Sequence, residues 1–113
     1  MSKSNKPVFW SLFAAGGTLA AFLAPALAVL FLLAALRHVP AVLQYTGLHE
    51  LLSHAIAKWL VFGVISLFLW HAAHRLRVTL HDLGVRADTT VAWLVYATAA
   101  LGTGLCGIYL IRI

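Results

Sequence analysis

The sequence predicts an all-α integral membrane protein with three transmembrane helices, the second of them long and extended at both ends. Of its 113 residues, 63% are apolar and 10% are charged, whereas soluble domains are about half apolar and a quarter charged. Three stretches are also long enough to cross a hydrocarbon core, which takes about 20 helical residues. The chain length supports one small domain, residues 1–113.

The first predicted span covers residues 11–36, and no acidic or basic residue lies between Lys6 and Arg37. The Ala-Pro-Ala-Leu-Ala at 24–28 resembles a signal-peptide cleavage site. However, the apolar run continues through Leu36, which is too long for a signal's apolar region of about 7–15 residues. Small residues recur there at every fourth position, which indicates either a surface for close helix contact or simple alanine richness. These residues are Ala20, Ala24 and Ala28.

The second predicted span, residues 56–77, belongs to a longer helix. Apolar residues recur at helical spacing from Leu48 onward with polar residues opposite them, which predicts an interfacial lead-in. Apart from Gly63, no glycine or proline interrupts the pattern, so one unbroken helix from Leu48 to Asp82 is expected. Such a helix would be about 52 Å long, well beyond a hydrocarbon core of roughly 30 Å, so its polar end must emerge from the lipid.

The third predicted span, residues 89–111, carries no charge. Gly84 is expected to close the second helix in a left-handed conformation, and Asp88 or Thr89 to cap the third. The glycines of this span are spaced for tight contact with a neighbouring helix. They are Gly102, Gly104 and Gly107.

Basic residues predict both a partner and an orientation. The net charge of +5 would indicate nucleic acid in a polar chain, but here the basic residues flank apolar blocks. We therefore expect contact with a lipid bilayer and no nucleic acid. Five basic residues fall on one side of the predicted membrane and three on the other, which favours a cytoplasmic amino terminus. The five are Lys3, Lys6, Arg75, Arg77 and Arg86, and the three are Arg37, Lys58 and Arg112.

A polar strip on the second helix is the candidate site. Five polar residues share one face at 100° per residue. They are His71, His74, Arg75, His81 and Asp82. Snorkelling toward lipid head groups would account for arginines at the helix end. It accounts less well for His71 and His74, because they lie inside the apolar run and need hydrogen-bond partners there. Asp82 opposes the helix dipole, so it is expected to pair with Arg75 or Arg86.

The strip restricts the chemistry of a ligand. Arginine presents a fixed fork of donors, and histidine can donate, accept or relay a proton near neutral pH. A quinone fits well, because it dissolves in lipid and its redox chemistry moves protons along with electrons. A haem is the competing ligand, with His71 or His74 as one axial ligand and the second from another chain. No metal site is expected from this histidine pair, because no acidic third ligand lies near it.

Two motifs resemble the D subunit of bacterial fumarate reductase. The first is Lys-Pro-Val-Phe-Trp-Ser-Leu-Phe at 6–13, running on to Gly16-Gly17, and the second comprises Leu69-Trp70, His74-Arg75 and His81-Asp82-Leu83. The resemblance covers nearly the whole chain in length and order of spans. The sequence departs from the family pattern at Arg77 and Val78, where a further histidine pair is expected.

The resemblance implies a non-catalytic membrane anchor in the bacterial inner membrane. A second anchor, the C subunit, would pair with it, and both would hold a flavoprotein subunit with FAD and an iron–sulfur subunit. It also implies a shared menaquinol site that includes Trp10 and Arg75, with His74 and His81 as neighbours. Electrons would pass through the iron–sulfur clusters to the flavin, where fumarate becomes succinate.

Other functions stay open beside this one. The nearest is a succinate dehydrogenase anchor that holds haem b, and another is a purely structural membrane protein. A small proton-coupled or drug transporter would be expected to bury a carboxylate within a span, and none of the predicted spans has one. The single cysteine, Cys106, and the lack of a nucleotide-binding glycine motif indicate that flavin and iron–sulfur chemistry belongs to partner subunits.

Overall fold

The computed structural model describes residues 6–113 and contains four α-helices and one 3₁₀ turn. In chain order these are α1 (Lys6–Ala35), the turn Ala41–Leu43, α2 (Tyr45–Leu52), α3 (Ala55–Asp82) and α4 (Asp88–Arg112). Helices α1, α3 and α4 are long and apolar enough to cross a membrane, so the predicted all-α fold with three spanning helices is confirmed. The orientation was predicted from a count of basic residues that includes Lys3 and Lys6. Lys3 and the side chain of Lys6 lie outside the described part of the chain.

Helix α3 is the centre of the arrangement, because α1 and α4 each pack against α3 rather than against each other. Two glycines allow the close approach. A Cβ atom at Gly16 would lie 2.8 Å from the backbone oxygen of Leu67, and one at Gly102 would lie 3.0 Å from Cδ1 of Leu69. Small residues at these positions bring helix backbones together, as is usual between spanning helices.

The predicted small-residue contacts are confirmed in part. On α4, Gly102 and Gly107 face side chains of α3, whereas a Cβ at Gly104 would meet nothing within 4 Å. On α1, the contact with α3 is made by Gly16 and Gly17 instead of the alanine strip. Ala24 and Ala28 of that strip are exposed.

The prediction of one unbroken helix from Leu48 to Asp82 is wrong, because the chain leaves helical geometry at Ser53 and His54 and starts a new helix, α3. The carbonyl of Glu50, which would accept from the His54 N–H in a continuous helix, accepts instead from the Ser53 hydroxyl at 2.5 Å and from the Ser53 N–H at 3.2 Å. The His54 N–H bonds to the Leu51 carbonyl at 3.3 Å. A serine side chain thus competes with the backbone and ends α2. Helix α3 alone, with 28 residues, is still about 42 Å long and exceeds the hydrocarbon core.

The connection between α3 and α4 follows the predicted turn but not the predicted cap. Gly84 has φ +96, and the N–H of Val85 bonds to the Leu80 carbonyl at 3.0 Å. This is the Schellman arrangement that a left-handed glycine allows at a helix end. The residue preceding α4 is Ala87, without a side-chain cap, so the predicted cap at Asp88 or Thr89 is wrong. Asp88 is instead the first residue of the helix, and its carboxylate bonds to Arg77.

The described chain buries few side chains. Its buried apolar residues are Ala73, Val95, Ala99 and Leu110. Three of these, Ala73, Val95 and Ala99, form the α3–α4 core. Large apolar side chains are exposed along every spanning helix, as is expected of surfaces that face lipid or other membrane subunits.

Candidate functional site

The candidate site lies in the half of α3 that ends at Asp82, where α1 and α4 flank it. Neighbouring helices divide the predicted polar strip into two parts. His71 and His74 are half-buried and turn toward α1 and α4, whereas Arg75, His81 and Asp82 are exposed. The strip therefore contributes to both the interior of the helix bundle and its outer surface.

His71 is held by α1. Its Nδ1 lies 3.0 Å from the carbonyl oxygen of Phe13, and the two rings stack with centroids 4.5 Å apart. The bare backbone of Gly17 makes room for this ring, since a Cβ there would lie 2.8 Å from Cε1 of His71. A carbonyl oxygen only accepts, so Nδ1 must carry a proton, and Nε2 is the free acceptor in the neutral ring.

His74 connects all three spanning helices. Its Nδ1 lies 3.1 Å from the hydroxyl oxygen of Tyr96 on α4. Its ring also packs edge-on against Phe13 of α1, with centroids 4.6 Å apart. The hydrogen bond satisfies a polar ring inside an apolar run, as the sequence position requires.

The Tyr96 ring packs against two side chains of α3. The Trp70 ring stacks on it at a centroid distance of 5.9 Å, and the guanidinium carbon of Arg77 lies 5.7 Å from its centroid. Arg77 in turn makes a two-pronged ion pair with Asp88, with Nε 2.9 Å from Oδ1 and Nη2 2.6 Å from Oδ2. A chain of contacts thus runs from the α3–α4 connection to His74.

Sequence reasoning misses this chain of contacts because it considers α3 alone. On spacing, Arg77 lies outside the predicted arc and suits lipid head groups, and Tyr96 has no predicted role. One signal in the sequence does point to the pair. Arg77 lies in the last turns of α3, and Asp88 is the first residue of α4 after the five-residue connection 83–87. The ends of two helices joined by so short a connection lie close together.

The predicted ion pair of Asp82 does not form in the part of the chain that the structure describes. The salt bridge there joins Arg77 to Asp88, whereas Asp82 is exposed at the last residue of α3. The carboxylate of Asp88 sits at the start of α4, where the helix dipole favours a negative charge.

Trp10, Arg75 and His81 all remain accessible. Trp10 is 69% exposed, and the structure gives no hydrogen bond between any two of these described side chains. Trp10 precedes Phe13 by one helical turn, and Phe13 contacts His74, which precedes Arg75 in sequence. Trp10 and Arg75 therefore lie at similar depth, on surfaces that α1, α3 and α4 leave free.

Metal binding is not supported among the described residues, where no group of three histidine, cysteine or acidic side chains comes together. His71 and His74 each use Nδ1 for a hydrogen bond within the bundle. The exposed part offers an arginine and an indole at similar depth, with the imidazole of His81 about 9 Å further along α3. These groups donate hydrogen bonds and exchange protons.

Comparisons with known proteins identify the family of this chain. A model of the family described as the D subunit of fumarate reductase matches residues 1–111. The chain belongs to the fumarate reductase D subunit family. The resemblance inferred from its two motifs is therefore confirmed, and membership of this family together with three apolar helices identifies a multi-pass membrane protein.

Several relatives are named as the D subunit of fumarate reductase. The relative from Aliivibrio salmonicida is 37% identical over 98% of this chain and 94% of its own length. That from Aliivibrio fischeri is also 37% identical with the same coverage. The relative from Shewanella sp. strain W3-18-1 is 32% identical over 98% of this chain and 93% of its own length. The likeness to this family thus extends over all three spanning helices.

Proposed function

We propose that this chain is the non-catalytic anchor that attaches fumarate reductase to the bacterial inner membrane and helps to form its menaquinol-binding site. A flavoprotein subunit, an iron–sulfur subunit and a second anchor, the C subunit, are its partners. The observation that carries the proposal is the pairing of family membership with an accessible Trp10 and Arg75 near His74, and with an exposed His81 further along α3.

The anchoring role is supported by how little of the chain is buried. Three long helices enclose four buried apolar residues, and their other faces are exposed. An isolated chain of this kind has apolar surface for both lipid and a second set of membrane helices. In membranes, such contacts depend on close packing at small residues, and several of these remain exposed, including Ala24 and Ala28 of α1.

The quinol role is supported by the chemistry of the exposed groups. Menaquinol oxidation releases two electrons and two protons, and the site must hold two ring oxygens while the protons leave. The guanidinium of Arg75 can donate hydrogen bonds to such an oxygen, and the imidazole of His74 or His81 provides a nitrogen that can take up a proton. The Trp10 indole offers a flat apolar wall for the quinone ring.

Exposure of these side chains indicates that partner subunits complete the pocket. A quinone pocket is expected to enclose most of its ligand, and neither Trp10 nor Arg75 is covered within the described chain. FAD and the iron–sulfur clusters would lie in the soluble subunits, where they supply the redox chemistry. Two electrons and two protons then convert fumarate to succinate, while this chain holds the quinol and exchanges its protons.

Membrane attachment can be tested by fractionation. Cells that lack this chain should release the flavoprotein and iron–sulfur subunits into the soluble fraction, and the restored full-length chain should return them to the membrane. Retention of both subunits on the membrane without this chain would contradict the anchoring role.

Quinol binding can be tested by photolabelling. An azido-substituted menaquinone analogue, illuminated with the membrane-bound complex, should label peptides that contain Trp10 or the His74–Arg75 pair. Excess menaquinone should abolish the label. Labelling confined to other subunits would leave this chain as a purely structural anchor, and a haem spectrum in the purified complex would favour the succinate dehydrogenase type.

A further inference from the structure

A second feature lies at the opposite end of the molecule, where α3 begins and α4 ends. An apolar groove with a volume of about 270 Å³ runs between the two helices. Its lining residues are Ala55, Lys58, Trp59, Phe62, Gly107, Leu110 and Ile111. Between Ala55 and Phe62 the helix rises by about 10 Å, so the groove is an elongated slot along the bundle.

The groove exists because Gly107 has no side chain. A Cβ atom there would lie 3.4 Å from the Phe62 ring, which is ordinary contact, so a larger side chain would enter the groove. The groove is lined almost entirely by apolar atoms and lies within predicted spanning helices. Water gains few hydrogen bonds in such a space, so hydrocarbon is the expected filling.

Basic residues near the groove indicate the kind of lipid head group that would accompany an acyl chain bound there. Lys58 is the charged residue in the lining, and Arg112 follows the lining residue Ile111 in sequence. Lys58 is half-buried and has no ion-pair partner among the residues that the structure describes. Two of the three acidic residues of the chain, Asp82 and Asp88, lie at the far ends of α3 and α4. The third, Glu50, lies on α2 near the start of α3 and forms no ion pair among the described residues, so Lys58 and Arg112 leave more basic than acidic charge at this end of the slot.

Trp59 adds a group suited to the membrane interface. It is 74% exposed, and its indole packs edge-on against Phe62 at a centroid distance of 6.4 Å. Tryptophan is enriched at head-group depth, where its N–H can donate to lipid oxygens. The apolar stem of a lysine can lie along an acyl chain while its ammonium group reaches the phosphate of the head group. Lys58 and Trp59 are therefore suited to the boundary between these two parts of a lipid.

We propose that the groove holds one acyl chain of an anionic phospholipid whose phosphate is bound by Lys58. A helix of a partner protein could also fill an apolar groove, but it would gain nothing from an unpaired lysine at the mouth. The proposal concerns the opposite end of the bundle from the quinol site, so it stands independently of that site.

The test compares lipids with identical acyl chains and different head groups. The tagged full-length chain, purified in mild detergent with the subunits that accompany it, is incubated with vesicles containing phosphatidylglycerol and phosphatidylcholine in equal amounts. Retained lipid is then quantified by mass spectrometry. The wild type should retain phosphatidylglycerol in about fivefold preference, as expected for one basic residue near an anionic head group.

Three variants separate charge from space. Lys58→Gln should reduce the preference to near parity while lipid is still retained, and Gly107→Leu should fill the groove and displace lipid of either kind. Gly104→Leu is the matched control, since it adds the same side chain to the same helix where nothing lies within 4 Å. It should behave as the wild type does.

Two results would overturn the proposal. One is equal retention of both lipids by the wild type, and the other is retention by Gly107→Leu that matches the Gly104→Leu control, because a protein helix would then cover the groove. If Gly107→Leu fails to assemble, the comparison of Lys58→Gln with the wild type decides the question alone.

Discussion

His74 of α3 and Tyr96 of α4 are joined by a hydrogen bond across the helix interface, with His74 Nδ1 3.1 Å from the Tyr96 hydroxyl oxygen. The tyrosine ring also packs against the Trp70 ring and the guanidinium of Arg77. His74 is adjacent to Arg75 in sequence and therefore borders the proposed quinol site. The bond from Tyr96 fixes the orientation of this histidine ring. The orientation of that ring decides which nitrogen is free to exchange a proton.

Tyr96→Phe tests this positioning role. The change removes the hydroxyl and keeps the ring packed against its neighbours, so assembly should be preserved. We expect menaquinol:fumarate turnover to fall several-fold and its pH profile to shift, because the His74 ring loses its partner. Turnover with an artificial dye that reaches the soluble subunits directly should stay unchanged.

Tyr109→Phe provides the control for that experiment, since Tyr109 is exposed on the same helix and its hydroxyl makes no side-chain hydrogen bond among the described residues. An unshifted pH profile in Tyr96→Phe, with turnover like that of the control, would show that the hydrogen bond has no part in quinol oxidation.

The Arg77–Asp88 pair should stabilise the α3–α4 hairpin. Both side chains are about one-third or more exposed, at 34% and 41%. Screening by solvent therefore limits the contribution of the pair to about 1 kcal/mol or less, even with two-pronged geometry. Arg77→Gln and Asp88→Asn should each lower the thermal midpoint of the purified complex slightly.

A double-mutant cycle identifies the pair itself. If the two side chains act through each other, Arg77→Gln combined with Asp88→Asn should be scarcely less stable than either single variant. Fully additive losses would show that each residue acts through other contacts, such as that of Arg77 with the Tyr96 ring.

Gly16→Leu should separate α1 from α3. A Cβ at this position already lies 2.8 Å from the Leu67 carbonyl oxygen, which is part of the backbone and has little room to move. The amount of folded variant in the membrane should decrease, and the thermal midpoint of the variant should fall. Gly63→Leu is the control, because a Cβ at Gly63 has no neighbour within 4 Å. Equal stability of the two variants would contradict the packing of α1 on α3.

Much of the fold could be predicted from sequence because bilayer thickness imposes a minimum length on apolar runs. The left-handed conformation of Gly84 was also predictable, because the turn that ends a helix depends on local backbone geometry. The break at Ser53 was harder to foresee, because a serine in a helical pattern usually continues the helix. It depends on one side-chain hydrogen bond to the Glu50 carbonyl.

The candidate site was predicted less completely, because a single helix does not reveal what packs on each of its faces. Helical spacing places His74 and Arg75 in one arc, yet α1 and α4 enclose the histidine and leave the arginine free. The partnership of Arg77 with Asp88 depends on the geometry of a helix pair. Arg77 links the two helices through this pair, at a position where the resemblance predicts a histidine.

The most direct test of the proposed function is menaquinol:fumarate turnover in membranes that contain the wild-type chain, Arg75→Leu or Arg86→Leu, measured beside dye:fumarate turnover. Arg86 is the matched control, as another exposed arginine that lies beyond α3. Loss of a charged hydrogen bond to the quinol should slow menaquinol turnover about tenfold or more in Arg75→Leu alone. Dye turnover and co-purification of the subunits should be unchanged. Menaquinol turnover in Arg75→Leu equal to that of the control would contradict a quinol site on this helix.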